Sequence, residues 1–301
     1  MKRKLVKDTS PGNICFQIFN HSFQVVFAMM CVYPFYFILI NSLSDPAKAE
    51  SMSVLLFPVG LTFSTYRAVF NMQQIYTGFF ISFARTVVGT TLTLAISSMF
   101  AYATTKNDLI FRRIIYRTAV ASMYVSAGLI PWYITMMRYG LKNNFLLYII
   151  PSAMNVFLMI LMRTFMQQIP QSLEESALMD GAGYFGIYAK IIMPVSIPVI
   201  AACAVFGGVG QWNSWGDNFF LVSTPKLQTL QLTLLNMLRQ TQQLMDLLRQ
   251  ENDFQAMSTL KITPTSIKLA TTMVVTIPIL LLYPFCQRYF VKGIMLGSIK
   301  G

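Results

Sequence analysis

Residues 168–198 read QIPQSLEESALMDGAGYFGIYAKIIMPVSIP, and this stretch decides how the rest of the chain is interpreted. Ser172 is a candidate N-cap, and Glu175 three residues later completes the capping-box pattern that begins many helices. Gly181 and Gly183 follow the helical pattern and interrupt it. The stretch therefore predicts a short helix, a glycine turn and a second helix that runs into an apolar segment.

Six segments of the chain, including the one that begins here, are long and apolar enough to cross a membrane. Of the 301 residues, 55% are hydrophobic and only 11% are charged, whereas soluble domains carry roughly a quarter charged residues. The six segments are residues 18–42, 79–104, 115–137, 144–163, 190–212 and 267–287. We therefore predict an all-α integral membrane protein with six transmembrane helices, folded as a single domain over residues 1–301.

Three stretches are interpreted from their composition. Residues 79–104 are rich in threonine and serine, which favours a span that faces the helix bundle. Residues 52–63 are apolar but contain Pro58 and Gly60, so we expect an interfacial or re-entrant stretch rather than a seventh span. Residues 227–253 carry leucines at helical spacing and predict one or two amphipathic helices.

Basic residues beside the apolar segments indicate which segment ends face the cytoplasm, because short cytoplasmic loops are enriched in Lys and Arg. With the N-terminus inside, the cytoplasmic ends hold Lys2, Arg3, Lys4, Lys7, Lys106, Arg112, Arg113, Arg117, Arg163, Lys190, Arg288, Lys292 and Lys300. We therefore expect both termini in the cytoplasm, including residues 1–17, with a cytoplasmic loop at 168–190 and outer loops at 43–78 and 213–266. The flanking pattern favours membrane lipid over nucleic acid as the partner of these charges.

Enzymatic activity and metal binding find little support in the sequence. The four cysteines lack CxxC spacing and the chain has one histidine, so neither a metal site nor a nucleophile–base pair is indicated. No G-x-x-x-x-G-K-[ST] phosphate-binding loop occurs in the sequence. We expect that this chain is not an enzyme and binds no metal or cofactor.

The 168–198 stretch resembles the EAA motif of ABC importer permeases. The matching positions are Glu175-Ser176-Ala177, Gly181 after three residues, Ile191 after nine more, and Met193-Pro194 after one more. Ser176 stands where the family has alanine, and Met193 stands where it has leucine. The triplet Asp180-Gly181-Ala182 is also similar to the family's common form. The resemblance implies a fold of the type I ABC importer kind, with a cytoplasmic coupling helix in the 168–190 loop.

In that family the coupling helix docks into a groove on an ATP-binding subunit. The resemblance implies that Glu175 pairs with a basic residue of that subunit and that Gly181 permits the turn. It also implies an apolar docking face formed by Leu173, Ala177 and Leu178. The full set of implied ATPase-coupling residues is Glu174, Glu175, Ala177, Leu178, Asp180, Gly181, Ala182 and Pro194. ATP would be used by two partner ATP-binding subunits rather than by this chain.

Further motifs resemble the second permease of carbohydrate importers. They are Pro58-Val59-Gly60-Leu61-Thr62 with Tyr66, Gln211-Trp212-Asn213, Tyr283-Pro284-Phe285, Gln287–Gly293 and Gly297–Gly301. The resemblance is strongest to permeases that serve larger, polysaccharide-derived oligosaccharides. It implies a heterodimer with a second permease, an extracellular substrate-binding lipoprotein and a place in the bacterial cell membrane.

A group of aromatic and polar residues near the end of the fifth segment is a candidate substrate path. Trp212, Asn213, Trp215 and Asp217 offer a flat apolar platform and hydrogen-bonding groups for a sugar, with Asn155 in the fourth segment as a further candidate. The alternatives are an interfacial or packing role for the tryptophans and a helix-bridging role for the asparagine. Arg85 lies early in the second segment, where an intramembrane charge indicates a functional role by default. The alternative is that it extends towards the headgroups, because it is near the outer end of the segment.

A secondary transporter or channel subunit is the competing function. Such proteins carry ionisable carboxylates or broken helices within the membrane. Every Asp and Glu of this sequence is expected in a loop or at a terminus, which leaves no proton or sodium relay. The sequence therefore favours the ATP-driven importer.

Overall fold

The computed structural model describes residues 11–50, 54–250 and 263–297, and these ranges contain helices and loops but no strand. The helices are α1 (Pro11–Ser42), α2 (Pro46–Glu50), α3 (Ser64–Phe70), α4 (Gln73–Ala103), α5 (Arg112–Ser122), α6 (Leu129–Arg138), α7 (Val156–Met166), α8 (Gln171–Met179), α9 (Tyr184–Ile187), α10 (Met193–Val195), α11 (Ile197–Asn213), α12 (Gly216–Leu221), α13 (Leu230–Gln250) and α14 (Pro264–Gly297). A π-helical turn, Tyr188–Ile192, joins α9 to α10.

Within the described residues, three helices are individually long and apolar enough to cross a membrane: α1, α4 and the Pro264–Leu281 part of α14. A fourth crossing is possible if the bent pair Tyr184–Val195 and Ile197–Leu221 forms one span. The predicted class, an all-α membrane protein, is confirmed. The basic residues 2–7 and the terminal residues 298–301 lie outside the described ranges.

Two predicted spans are divided, which corrects the expectation of continuous helices over 115–137 and 144–163. The first is split into α5 and α6 because Gly128 adopts φ +81° immediately before α6. The second begins as a short 3₁₀ turn, Phe145–Tyr148, and becomes α-helical only at α7. Asn155 starts α7 as its N-cap, since its side chain accepts a hydrogen bond from the Leu158 N–H at 3.1 Å.

The fifth predicted span, residues 190–212, is bent rather than straight. The helix axis turns by 81° between Tyr184–Val195 and Ile197–Leu221. Pro198 has no N–H to donate to the carbonyl of Pro194 four residues earlier, so the helical hydrogen-bond ladder is interrupted at this point. The bend places the end of the 168–190 loop and the start of α11 on different axes.

The chain divides into two compact units, residues 1–69 with 241–273 and residues 70–240 with 274–301. In the first unit, the loop after α2 folds back on the end of α1. The Asn41 amide donates to Val54 O at 3.0 Å, and Thr62 N donates to Leu43 O at 2.9 Å. Gly60 turns the loop at φ +69°. In the predicted stretch, residues 52–63, residues 54–63 thus form a loop rather than a span, and residues 52–53 lie outside the described residues.

In the second unit, α4 packs against α7 and α11 through small and hydroxylated residues. A Cβ at Gly89 would lie only 2.9 Å from Gln211 Nε2, so the two helices approach closely there. The Thr93 hydroxyl donates to Ser152 O at 2.6 Å, and Ser97 Oγ accepts from Asn155 N at 3.0 Å. The prediction that this span faces the bundle is therefore confirmed. In the predicted leucine-rich stretch, residues 227–253, Leu230–Gln250 form α13, and residues 251–253 lie outside the described residues.

Candidate functional site

The 168–190 loop has the predicted form of helix, glycine turn and helix. Gly181 adopts φ +80°, a left-handed conformation that favours glycine. Gly181 N donates to Leu178 O and Ala182 N donates to Ala177 O, both at 3.0 Å. This pair of hydrogen bonds is the Schellman arrangement that ends helices with glycine at the residue after the C-cap. Gly181 is therefore required by the way α8 ends.

The start of α8 differs from the prediction. Ser172 is not the N-cap, because Pro170 occupies that position with φ −57° and no side-chain cap. The Pro170 carbonyl already accepts from Leu173 N at 3.2 Å, so the helix begins before Ser172. Ser172 is instead a helical residue whose carbonyl accepts from the Ser176 hydroxyl at 2.8 Å.

The exposed side of α8 presents an apolar tip beside a carboxylate. Met179 is 88% exposed, and Leu173 and Leu178 are 44% and 42% exposed. Glu175 is also exposed. Ala177 differs from its expected role in a docking face, because it is only 9% exposed and packs in the apolar core with Met162 and Met166. Ala177 thus holds α8 onto the protein, while its neighbours face outwards.

The two glutamates of α8 have different environments. Glu174 forms an ion pair with Lys106, and the two side chains are 20% and 17% exposed. Lys106, Glu174 and Glu175 all line one groove of about 410 Å³, but Glu175 forms no hydrogen bond or ion pair with the described residues. Asp180 caps the C-terminus of α8 through its backbone, and Pro194 lies in α10. Of the two glutamates, Glu175 is therefore the one available to another molecule.

A second site lies between α4, α7 and α11. It is a cavity of about 490 Å³ whose lining includes Arg85, Trp132, Tyr148, Asn155, Gln211 and Asp217. The guanidinium of Arg85 donates to Gln211 Oε1 at 2.9 Å and to Ser214 O at 3.3 Å. It also forms an ion pair with Asp217 at 2.6 Å and lies 4.7 Å from the centre of the Tyr148 ring. The expectation that Arg85 extends to headgroups is wrong, because the residue is 3% exposed.

The predicted substrate-path residues do not all meet in this cavity. Asn155 and Asp217 line it, whereas Trp212, Asn213 and Trp215 do not. Trp212 is 6% exposed, and its indole N–H donates to Val275 O at 3.1 Å. Its ring also packs edge-to-face on Phe79 with centroids 5.9 Å apart. Trp212 therefore packs inside the protein in this structure and does not face the cavity.

Trp215 and Asn213 are exposed but do not line the cavity. Trp215 packs edge-to-face on Phe219, with ring centroids 6.0 Å apart. The aromatic residues that do line the cavity include Trp132 and the edge-to-face pair Phe157 and Phe206. Sequence reasoning missed these three residues because they lie within apolar segments, where an aromatic ring has no distinguishing pattern.

Comparisons with known proteins bear on both sites. No family model matches the chain. The chain is 33% identical over 290 residues to the polygalacturonan/rhamnogalacturonan transport system permease protein YtcP of Bacillus subtilis (strain 168), covering 96% of this chain and 99% of the relative. It is 33% identical over 294 residues to protein LplC of the same organism, covering 98% and 97%.

A solved structure is also similar. It is a bacterial ABC transporter involved in the import of the acidic polysaccharide alginate, with a TM-score of 0.82, 29% identity, and coverage of 93% of this chain and 98% of that chain. The two relatives and the solved structure each match this chain along nearly its whole length. The chain therefore belongs to the permease family of carbohydrate ABC importers.

Proposed function

We propose that this chain is one of two permease subunits of an ATP-driven importer for polysaccharide-derived oligosaccharides. It performs no chemical reaction itself, and two partner subunits bind and hydrolyse ATP. The observation that carries the proposal is α8, which ends in a glycine turn and presents two exposed residues within the EAA-like stretch, Glu175 and Met179. The substrates named for the relatives, polygalacturonan/rhamnogalacturonan and alginate, support a polysaccharide-derived cargo.

The proposed membrane arrangement follows from the basic residues beside the spans. The chain lies in the bacterial cell membrane with both termini and the 168–190 loop in the cytoplasm. α8 then faces the ATP-binding subunit and docks as a helix in a groove. Leu173, Leu178 and Met179 supply apolar contact, and Glu175 pairs with a basic residue of that subunit. An extracellular binding protein delivers the sugar on the other side.

The cavity is this chain's proposed contribution to the sugar path. The charge of Arg85 is compensated by Asp217, so this pair offers the substrate no net charge. The remaining lining supplies ring faces from Trp132 and an amide from Asn155. Such groups recognise the CH faces and hydroxyl groups of sugars. We therefore propose that this chain contacts hydroxyls and ring faces of the oligosaccharide rather than its carboxylates.

The experiment is reconstitution of the complete importer in liposomes. The chain is co-expressed with its second permease and the ATP-binding subunits, and uptake of a labelled oligogalacturonide is measured with the binding protein outside. Uptake should require ATP on the side of the membrane where the ATP-binding subunits lie. It should stop when ATP is replaced by a non-hydrolysable analogue. Uptake driven by a proton or sodium gradient without ATP would contradict the proposal and favour a secondary transporter.

A further inference from the structure

The loop between α4 and α5 touches both arms of the 168–190 loop. This segment, residues 104–111, is called the α4–α5 strap. Lys106 of the strap forms the ion pair with Glu174 in α8, before the Gly181 turn. Asp108 of the strap accepts a hydrogen bond from the Tyr184 hydroxyl at 2.6 Å, at the start of α9 and after the turn. The strap therefore holds the helix–turn–helix at two points, one on each side of the glycine.

The strap is itself anchored to its flanking helices. Arg112, the first residue of α5, donates to Thr105 O at 3.0 Å and to Asn107 Oδ1 at 2.6 Å. Thr105 N donates to Tyr102 O at 2.9 Å, which continues the end of α4 into the strap. Lys106 Nζ lies 4.1 Å from the centre of the Tyr102 ring. A cation held over a ring and beside a carboxylate has two attractive partners.

α4 also contacts the second arm directly. The hydroxyls of Ser98 and Tyr188 are 2.7 Å apart, and the rings of Tyr102 and Tyr188 are 5.5 Å apart. Nearer to the middle of the helix, α4 carries Arg85, which lines the 490 Å³ cavity. One continuous helix, Gln73–Ala103, thus connects the strap with the cavity.

From this geometry we propose that Lys106 and Asp108 are positioning residues that make α4 move together with α8 and α9. The inference rests on the proposed function, in which α8 receives movement from an ATP-binding subunit. Displacement of α8 pulls on Lys106 through Glu174, and displacement of α9 pulls on Asp108 through Tyr184. The movement reaches the cavity through α4, and Glu174 serves this internal link while Glu175 serves the external contact.

Charge reversal in the complete importer tests the link. Lys106→Glu and Glu174→Lys each place like charges together, and the double variant restores an opposite pair. We expect each single variant to lower sugar uptake per ATP hydrolysed by roughly fivefold. The double variant should return to within about twofold of the unchanged protein. The sugar uptake per ATP hydrolysed is called the coupling ratio. Its rescue at constant yield of complex is a result that a purely structural defect would not give.

Two further variants make the test specific. Arg113→Glu reverses an exposed charge at the start of α5 without touching the strap contacts and should leave the coupling ratio unchanged. Lys106→Met keeps an apolar stem beside Tyr102 and removes only the charge, which provides a second measurement if Lys106→Glu lowers the yield. Tyr184→Phe removes the second contact and should lower the coupling ratio in the Lys106→Glu, Glu174→Lys double variant as well.

Two outcomes would overturn the inference. One is unchanged uptake per ATP in intact complexes of both single charge-reversal variants. The other is loss of coupling in Glu174→Lys but not in Lys106→Glu, which would mean that Glu174 acts on the ATP-binding subunit directly. Failure of the proposed function would look different, because the unchanged protein would then lack ATP-dependent uptake or would not co-purify with ATP-binding subunits.

Discussion

Arg85 and Asp217 form a bidentate ion pair between α4 and α12. Nη1 lies 3.0 Å from Oδ1, and Nη2 lies 2.6 Å from Oδ2. The side chain of Arg85 is 4% exposed and that of Asp217 is 15% exposed. Both charges have therefore lost most of their water, and each depends on the other for compensation.

Removing one member of this pair should be costly. We expect Asp217→Asn and Arg85→Met to destabilise the permease by about 3–5 kcal/mol each, because a buried charge remains without its partner. The double variant should be less destabilised than the sum of the singles. The measurement is the thermal unfolding midpoint of the purified complex. Lys142→Met, at an exposed charge, is the control and should leave the midpoint unchanged.

The close approach of α4 and α11 predicts a different effect at Gly89. An added methyl in Gly89→Ala would meet Gln211 Nε2 at 2.9 Å and displace the side chain that accepts from Arg85. We expect reduced uptake with intact assembly, since Gln211 is polar and can shift. Gly210→Ala is the matched control in the same cavity lining, where no atom lies within 4 Å of the new Cβ. Equal losses in both variants would point to cavity narrowing instead.

The turn after α8 predicts a glycine requirement at one of two neighbouring positions. Gly181 has φ +80°, so Gly181→Ala should cost about 1–2 kcal/mol in the docked loop. Gly183 has φ −76° and open space around its Cβ position, so Gly183→Ala should be tolerated. Uptake per ATP hydrolysed is the readout. Gly181→Asn should keep more activity than Gly181→Ala because Asn accepts the left-handed conformation.

Variants of Trp212 and Trp132 should affect different properties, stability in the first case and transport in the second. Trp212→Phe removes the hydrogen bond to Val275 O, which is worth about 1 kcal/mol, and should lower the unfolding midpoint while sugar uptake per folded complex stays unchanged. Trp132→Ala removes a ring face from the cavity and should lower uptake with a smaller change in the midpoint. The reverse pattern would show that the sugar path runs along Trp212.

Much of the fold could be predicted because the signals were local. The helix–turn–helix of residues 171–195 follows from the order of its glycines. Gly181 has a positive φ because it is the residue after the C-cap of α8. The exact start of α8 was not predictable from the capping pattern, because Pro170 competes with Ser172 for the cap. The breaks at Gly128 and before Pro198 were missed because length and apolarity do not distinguish a straight span from a divided one.

The cavity was less predictable because its parts are distant in sequence. Arg85 and Asp217 are separated by 132 positions, and no sequence pattern around either residue indicates that the two are in contact. A buried arginine in an apolar segment is a signal that a carboxylate must lie nearby, but the sequence does not say which one. The role of Trp212 stayed open for another reason, since a tryptophan beside asparagine looks the same in sequence whether its indole packs or is exposed.

The central claim is that α8 is the surface that meets an ATP-binding subunit, and photocrosslinking tests it most directly. A photoreactive amino acid replaces Met179, which is 88% exposed at the end of α8, and the complete importer is irradiated in membranes. The control carries the same group at Phe80, which is 68% exposed on α4. The account predicts a crosslink to the ATP-binding subunit from position 179 and none from position 80. Assembled, active complexes that give no such crosslink from position 179 would contradict it.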